Sequence, residues 1–132
     1  MTTKSVSFWP RLLLMPYLLF HLSGCGVLIL GGAAAGTVGY VSGDLKATLE
    51  GKFENVVDAT DQAINDNSIT QVAKDETQHS VVYELRTLQD DKIALTITRA
   101  SRDLTNVIIR VGVFGDEPLS RHILTEIENR LK

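Results

Sequence analysis

Between residues 44 and 132 the spacing of apolar positions changes several times, and each change marks an element. Leu45, Ala47 and Leu49 alternate with Lys46, Thr48 and Glu50, the period-two pattern of a half-buried strand, and Gly51 ends it. Over residues 52–66 the period lengthens. Phe53, Val56, Val57, Thr60, Ala63 and Ile64 share one face of a helix, while Glu54, Asp58, Asp61 and Gln62 turn outward. Asn65-Asp66-Asn67-Ser68 stops that helix, because these side chains compete for backbone hydrogen bonds and Asn tolerates the left-handed conformation. Residues 69–74 predict a short edge strand, with a turn at 75–78. Residues 79–88 place Val81, Tyr83 and Leu85 on one side and Glu84 and Arg86 on the other. A hairpin turn at 89–91 leads to residues 92–99, with Ile93, Leu95 and Ile97 inward. Residues 104–114 are apolar on both faces apart from Arg110 and Gly112, which suits a central strand. Asp116 then caps a final helix that Pro118 can enter, with Leu119, Ile123, Leu124, Ile127 and Leu131 on one face. The fold class expected is α+β: an antiparallel sheet of four to five strands with two helices packed on one face, in the order β-α-β-β-β-β-α.

Upstream of residue 44 the pattern is of another kind. Residues 1–24 have a basic start with Lys4 and Arg11, an apolar centre from Leu12 to Leu22, and small residues before Cys25, the organisation of a secretory signal peptide. A rival reading takes Leu12 to Leu30 as an uncleaved membrane-spanning helix, since its length approaches the ~20 residues a span requires. Pro16 and the glycines weaken that helix. Residues 26–43 are uncharged and rich in glycine and alanine, unlike a solvated tether. Gly32 and Gly36, and Gly39 and Gly43, stand four apart, a spacing that lets two helices approach closely in an apolar setting; the plainer alternative is an apolar leader lying along the domain or the bilayer. The expected division is therefore 1–24 signal peptide, 25–43 leader, and 44–132 a small domain.

Composition removes whole classes of function. The chain has 132 residues, 13 Lys and Arg against 16 Asp and Glu, and Lys4 and Arg11 are the only charges before Cys25, so the domain itself is acidic. No basic stripe offsets this, and nucleic acid is excluded as a partner. His79 and His122 have no acid or cysteine at a metal-ligand spacing, so no metal and no cofactor is expected. Ser120 and His122 point to different faces of a helix, and no nucleophile elbow is present, so no catalytic residues are assigned and the protein is read as non-enzymatic. Arg110 interrupts the most apolar strand. It must face the open side of the sheet or pair with a carboxylate such as Asp116 or Glu84, and with Arg86 and Arg99 it forms a candidate contact for an anionic ligand or an acidic partner segment.

Two resemblances add to this. Leu22-Ser23-Gly24-Cys25 resembles the bacterial lipobox, in which the chain is cleaved before a cysteine that is acylated with palmitate-type chains. That implies Cys25 as the lipidation site and, with Gly26 rather than aspartate following it, sorting to the outer membrane. Two or more acyl chains would hold the protein stably where one would not. Ile109-Arg110-Val111-Gly112-Val113-Phe114-Gly115-Asp116, followed by Ser120, together with Tyr40-Val41-Ser42-Gly43 and the glycine-alanine stretch, resembles a family of short bacterial envelope lipoproteins of unknown function. The resemblance implies no activity.

The expected role is a lipid-anchored structural or assembly accessory, working through an envelope protein partner or self-association at the periplasmic face of the outer membrane. The alternatives are a small module binding a lipid or an anionic ligand, and an inner-membrane protein with an uncleaved N-terminal helix.

Overall fold

In the computed structural model, residues 37–132 are described, and all statements below concern them. The six strands are β1 (Val38–Val41), β2 (Asp44–Glu50), β3 (Thr70–Glu76), β4 (Ser80–Arg86), β5 (Lys92–Arg99) and β6 (Leu104–Val111); the helices are α1 (Phe53–Asp66) and α2 (Glu117–Leu131). They form one antiparallel sheet in the order β1-β2-β6-β5-β4-β3. Chain neighbours pair as hairpins except where α1 intervenes. That helix carries the chain from β2 across the sheet to the far edge, which leaves β2 free to pair with β6.

The α+β class and the two helices agree with the sequence pattern, but the expected four to five strands are six. The added strand is β1, from the stretch assigned to the leader. Val38–Val41 pairs with Asp44–Ala47 through a two-residue turn, Ser42-Gly43, with both residues at positive φ. This is the turn geometry whose twist matches paired strands. Its sequence is Ser-Gly rather than Asn-Gly, and Gly39 breaks the apolar alternation before it.

One face of the sheet carries the core. Leu45, Ala47 and Leu49 of β2 align with Ile109, Val107 and Thr105 of β6, and these with Leu95, Ile97 and Arg99 of β5. All except Arg99 are buried. The helices cover that face with Phe53, Val56, Val57, Ala63 and Ile64 from α1 and Ile123, Leu124 and Ile127 from α2. Buried hydroxyls are satisfied locally: Thr60 donates to the Val56 carbonyl at 2.8 Å, and Thr105 to the Gly51 carbonyl at 3.0 Å. The opposite face presents Lys46, Thr48, Asn106, Thr96, Thr98 and Glu84, as expected of an antiparallel sheet with one wet side.

Several boundaries differ from expectation, among them the end of β4, which stops at Arg86 and not at residue 88. β3 continues to Glu76, so the turn falls at 77–79, where Thr77 accepts amide hydrogens and donates to the Ser80 carbonyl. β6 stops at Val111 because Gly112 takes φ +68. As anticipated, the Asp116 carboxylate caps α2, accepting from the Leu119 amide at 2.9 Å.

Candidate functional site

The lipidation residue Cys25, the cleavage signal Leu22, Ser23 and Gly24, and the glycines Gly32 and Gly36 all lie outside the described residues. Gly39 and Gly43 are within them, and neither is helical. Gly39 is in β1 and Gly43 in the β1–β2 turn at φ +87, so these two do not provide a helix-pairing face. Among the described residues no helix is long and apolar enough to cross a membrane, and no group of His, Cys, Asp or Glu could hold a metal ion.

The three arginines proposed to receive an anion are not assembled together. Arg86 and Arg110 lie on the open face of the sheet, in a shallow trough with Asp90, Asp91 and Lys92. Arg99 projects from the helix side instead, because it shares the inward phase of Ile93 and Ile97. Its guanidinium sits 5.0 Å from the centre of the Phe53 ring and bonds Glu54. Each cation of the trough already has a carboxylate: Arg86 with Asp90 at 2.9 Å, Lys92 with Glu84 at 3.6 Å, and Arg110 with Asp44 at 2.6 Å. The trough is close to electroneutral and has little pull on an anion.

Arg110 has a different task. The partners anticipated for it, Asp116 and Glu84, are replaced by Asp44, which β2–β6 pairing brings alongside. Arg110 Nε donates to Asp44 Oδ1, Nη2 donates to the Ser42 carbonyl at 2.9 Å, and Nη1 reaches the Val113 carbonyl at 3.4 Å. The hydrogen bond to Asp44 holds the guanidinium above even its usual high pKa. One side chain thus ties the β1–β2 turn to the turn after β6.

Glycines complete that corner. A Cβ on Gly43 would stand 2.7 Å from the Phe114 carbonyl oxygen, and one on Gly115, at φ +86, would stand 2.4 Å from both Gly43 Cα and Tyr40 Oη. Only glycine permits this approach. In the turn after β6, Val113 and Phe114 are 81% and 93% exposed, and Val41, which precedes the β1–β2 turn, is exposed as well. Val113 and Phe114 thus present two successive apolar side chains to solvent from a turn whose backbone is tied down.

A second polar cluster lies between α1 and the β3–β4 hairpin. Tyr83 is buried, and its hydroxyl donates to Asp61 Oδ1 at 2.8 Å. Lys74 bonds Asp61 Oδ2 at 2.9 Å and Glu76 at 3.3 Å, above the Tyr83 ring. Burial, reinforced by the Asp61 bond, pushes the Tyr83 hydroxyl well above the ordinary tyrosine pKa. For Lys74, burial alone would lower the pKa, and the bonds to Asp61 and Glu76 outweigh it and raise it. These shifts move both groups away from neutral pH, where acid–base chemistry would need them, so the cluster is a fastening of β3 to α1.

A third feature is an apolar cleft of about 230 Å³ between α1, α2 and the turns at 68–69 and 87–89. His122 and Glu126 stand on its α2 side. Ser120 is buried and donates to the Asp116 carbonyl at 2.7 Å, so its hydroxyl is committed. Sequence reasoning missed the cleft, the Asp61–Tyr83–Lys74 cluster and the apolar corner, because each joins segments that only the sheet order brings together.

Residues 10–130 match a family described as protein of unknown function (DUF3568). No curated protein matches the sequence.

Proposed function

The chain belongs to the DUF3568 family, and from that premise we propose that it is a non-catalytic accessory of the bacterial envelope, lipid-anchored through Cys25 at the periplasmic face of the outer membrane and acting through protein contacts. The observation that carries the contact role is the corner at Val41, Val113 and Phe114. A side chain 93% exposed gains nothing for the fold where it stands. Yet Arg110, Gly43 and Gly115 are spent on fixing the loop that bears it. Preorganised aromatic anchors of this kind contribute most of the energy at protein interfaces, because little conformational entropy is lost when they dock.

The anchor rests on the lipobox resemblance of Leu22-Ser23-Gly24-Cys25 and on the single cysteine, whose thiol acylation would consume. The intact mass of protein extracted from membranes tests it. The expected mass is that of residues 25–132 plus acyl chains, absent in Cys25→Ser; a mass retaining Met1 would instead support the uncleaved inner-membrane helix.

The contact role is tested by replacing Phe114 with a photo-crosslinking amino acid in intact cells. A discrete adduct with one envelope protein, or with a second copy, is expected at Phe114 and not at Val72, an exposed apolar residue on the opposite edge strand. No adduct, or the same adducts at both positions, would remove the corner as the docking point.

A further inference from the structure

The cleft beside α2 is distinct from the docking corner. Ala63 and Ile64 of α1, Ile123 and Ile127 of α2, and the partly buried Leu119 and Ile69 form its walls. Its volume of about 230 Å³ exceeds the ~150 Å³ of an apolar cavity that admits benzene. We infer that it is a binding site for a neutral single-chain amphiphile, a short alkyl chain bearing an uncharged polar head.

The charge pattern selects that chemistry. Glu126 is the one acidic or basic residue lining the cleft, with His122 the other titratable group. The Glu126 carboxylate is bonded to Arg130 at 2.8 Å and to the Asn67 amide at 3.4 Å, and the Arg130 bond holds it ionised to lower pH than usual. Glu126 and Asp66 share the single Arg130, so this group is net negative; a ligand carboxylate would be repelled by it, and an ammonium would have to compete with Arg130. A hydroxyl, ester or amide head meets neither obstacle, and Gln89, among the lining residues, offers it an uncharged amide.

The mouth itself is built at some expense. Ser68 holds φ +55, a left-handed conformation seldom adopted by residues other than glycine and asparagine, where the chain leaves α1. Leu88 of the β4–β5 turn also lines the cleft and is 78% exposed. The turn beneath it is ordered by Thr87, whose hydroxyl accepts from the Gln89 and Asp91 amides at 3.2 and 3.1 Å. An exposed apolar side chain on an ordered turn at the edge of the cleft can fold over an alkyl chain lying in it.

Isoleucine methyl NMR of the full chain in lipid nanodiscs tests the inference, with octan-1-ol, octanoate and octylammonium as probes. Octan-1-ol should shift the methyls of Ile64, Ile69, Ile123 and Ile127 saturably and leave Ile93 and Ile97 in the sheet unmoved. Octanoate and octylammonium should bind at least tenfold more weakly. Ala63→Leu should abolish the response by filling the cleft, and Leu88→Gln, at an exposed site that folding does not depend on, should weaken it several-fold. Shifts that never saturate or that spread over the sheet would overturn the site. Charged probes binding as well as the alcohol would overturn the neutral head, and an unaltered affinity in Leu88→Gln would overturn the covering role. None of these outcomes bears on crosslinking at Phe114.

Discussion

Replacing Tyr83 with phenylalanine removes one oxygen from a fully buried residue and leaves its ring in place. The hydroxyl donates to an ionised carboxylate, Asp61, at 2.8 Å. A hydrogen bond to a charged group contributes about 1.5–3 kcal/mol net. The lower part of that range applies, because Asp61 is partly exposed and its other oxygen keeps Lys74. The expected loss at neutral pH is therefore about 1.5 kcal/mol, which in a domain of this size lowers Tm by roughly 6–12 °C. The pH dependence provides a sharper test. Tyr83 has its pKa raised in the folded state, so its contribution is complete below the unfolded value of about 10 and is lost as pH rises above it. In that window the unfolded chain releases a proton that the folded chain retains, which costs about 1.4 kcal/mol of stability per pH unit. The phenylalanine variant has no such proton. Its deficit should shrink above about pH 10 and vanish roughly one unit higher, while Lys74 titrates in both proteins and largely cancels from the difference. Urea unfolding followed by circular dichroism from pH 7 to 11.5 measures this directly. A deficit below about 0.5 kcal/mol at neutral pH, or one that stays constant or grows above pH 10, would refute the claim that the buried hydroxyl fastens α1 to the hairpin.

Three further outcomes follow from the same structure. Gly115→Ala places a Cβ 2.4 Å from Gly43 Cα at a residue with φ +86, and should cost more than about 2 kcal/mol by chemical denaturation, since the clash is with backbone that cannot yield. Thr105→Val deletes the buried donor to the Gly51 carbonyl and should cost about 1–2 kcal/mol, whereas Thr125→Val, an exposed residue whose hydroxyl bonds only the Arg121 carbonyl, should stay within about 0.5 kcal/mol. The Glu126 carboxyl is held below its ordinary value of 4.5 chiefly by the Arg130 bond, so its contribution is complete above that value and lost as pH falls through the folded pKa; Glu126→Gln should flatten the acid limb of the stability curve and leave the alkaline limb unchanged.

Most of the fold was legible because its strands obey one rule. In β2, β4, β5 and β6 every inward position is apolar or a hydroxyl with a partner, except Arg99, and period-two alternation reports such positions directly. β1 escaped for a physical reason: an edge strand four residues long needs only Tyr40 against the core, so it leaves almost no pattern to detect. Its Ser-Gly turn was the available signal, obscured by the glycines around it. The candidate site was harder. Phase along β5 would have put Arg99 on the helix side, beside Ile97, had strand parity been applied to charged residues as strictly as to apolar ones. The pairing of Arg110 with Asp44, by contrast, depends on β2 lying next to β6, and no local pattern encodes that order.

That corner accounts for a motif the sequence left unexplained. Tyr40-Val41-Ser42-Gly43 and Arg110 to Asp116 are far apart in the chain, yet they form one contact, and their residues have separable tasks. Val111 is in the core, and Gly112 turns the chain at positive φ. Arg110 binds the facing turn, Gly115 lets Gly43 approach, and Asp116 caps α2. Val113 and Phe114 remain, engaged through their backbone carbonyls and not through their side chains. Substituting both with serine should therefore leave Tm within a few degrees of the parent, since surface changes away from buried contacts fall within about 0.5 kcal/mol. It should also abolish the partner adduct, read from a crosslinker moved to Val41, which precedes the facing β1–β2 turn. A large drop in Tm would mean that the pair belongs to the scaffold, and the docking role would then have to be sought elsewhere on the domain.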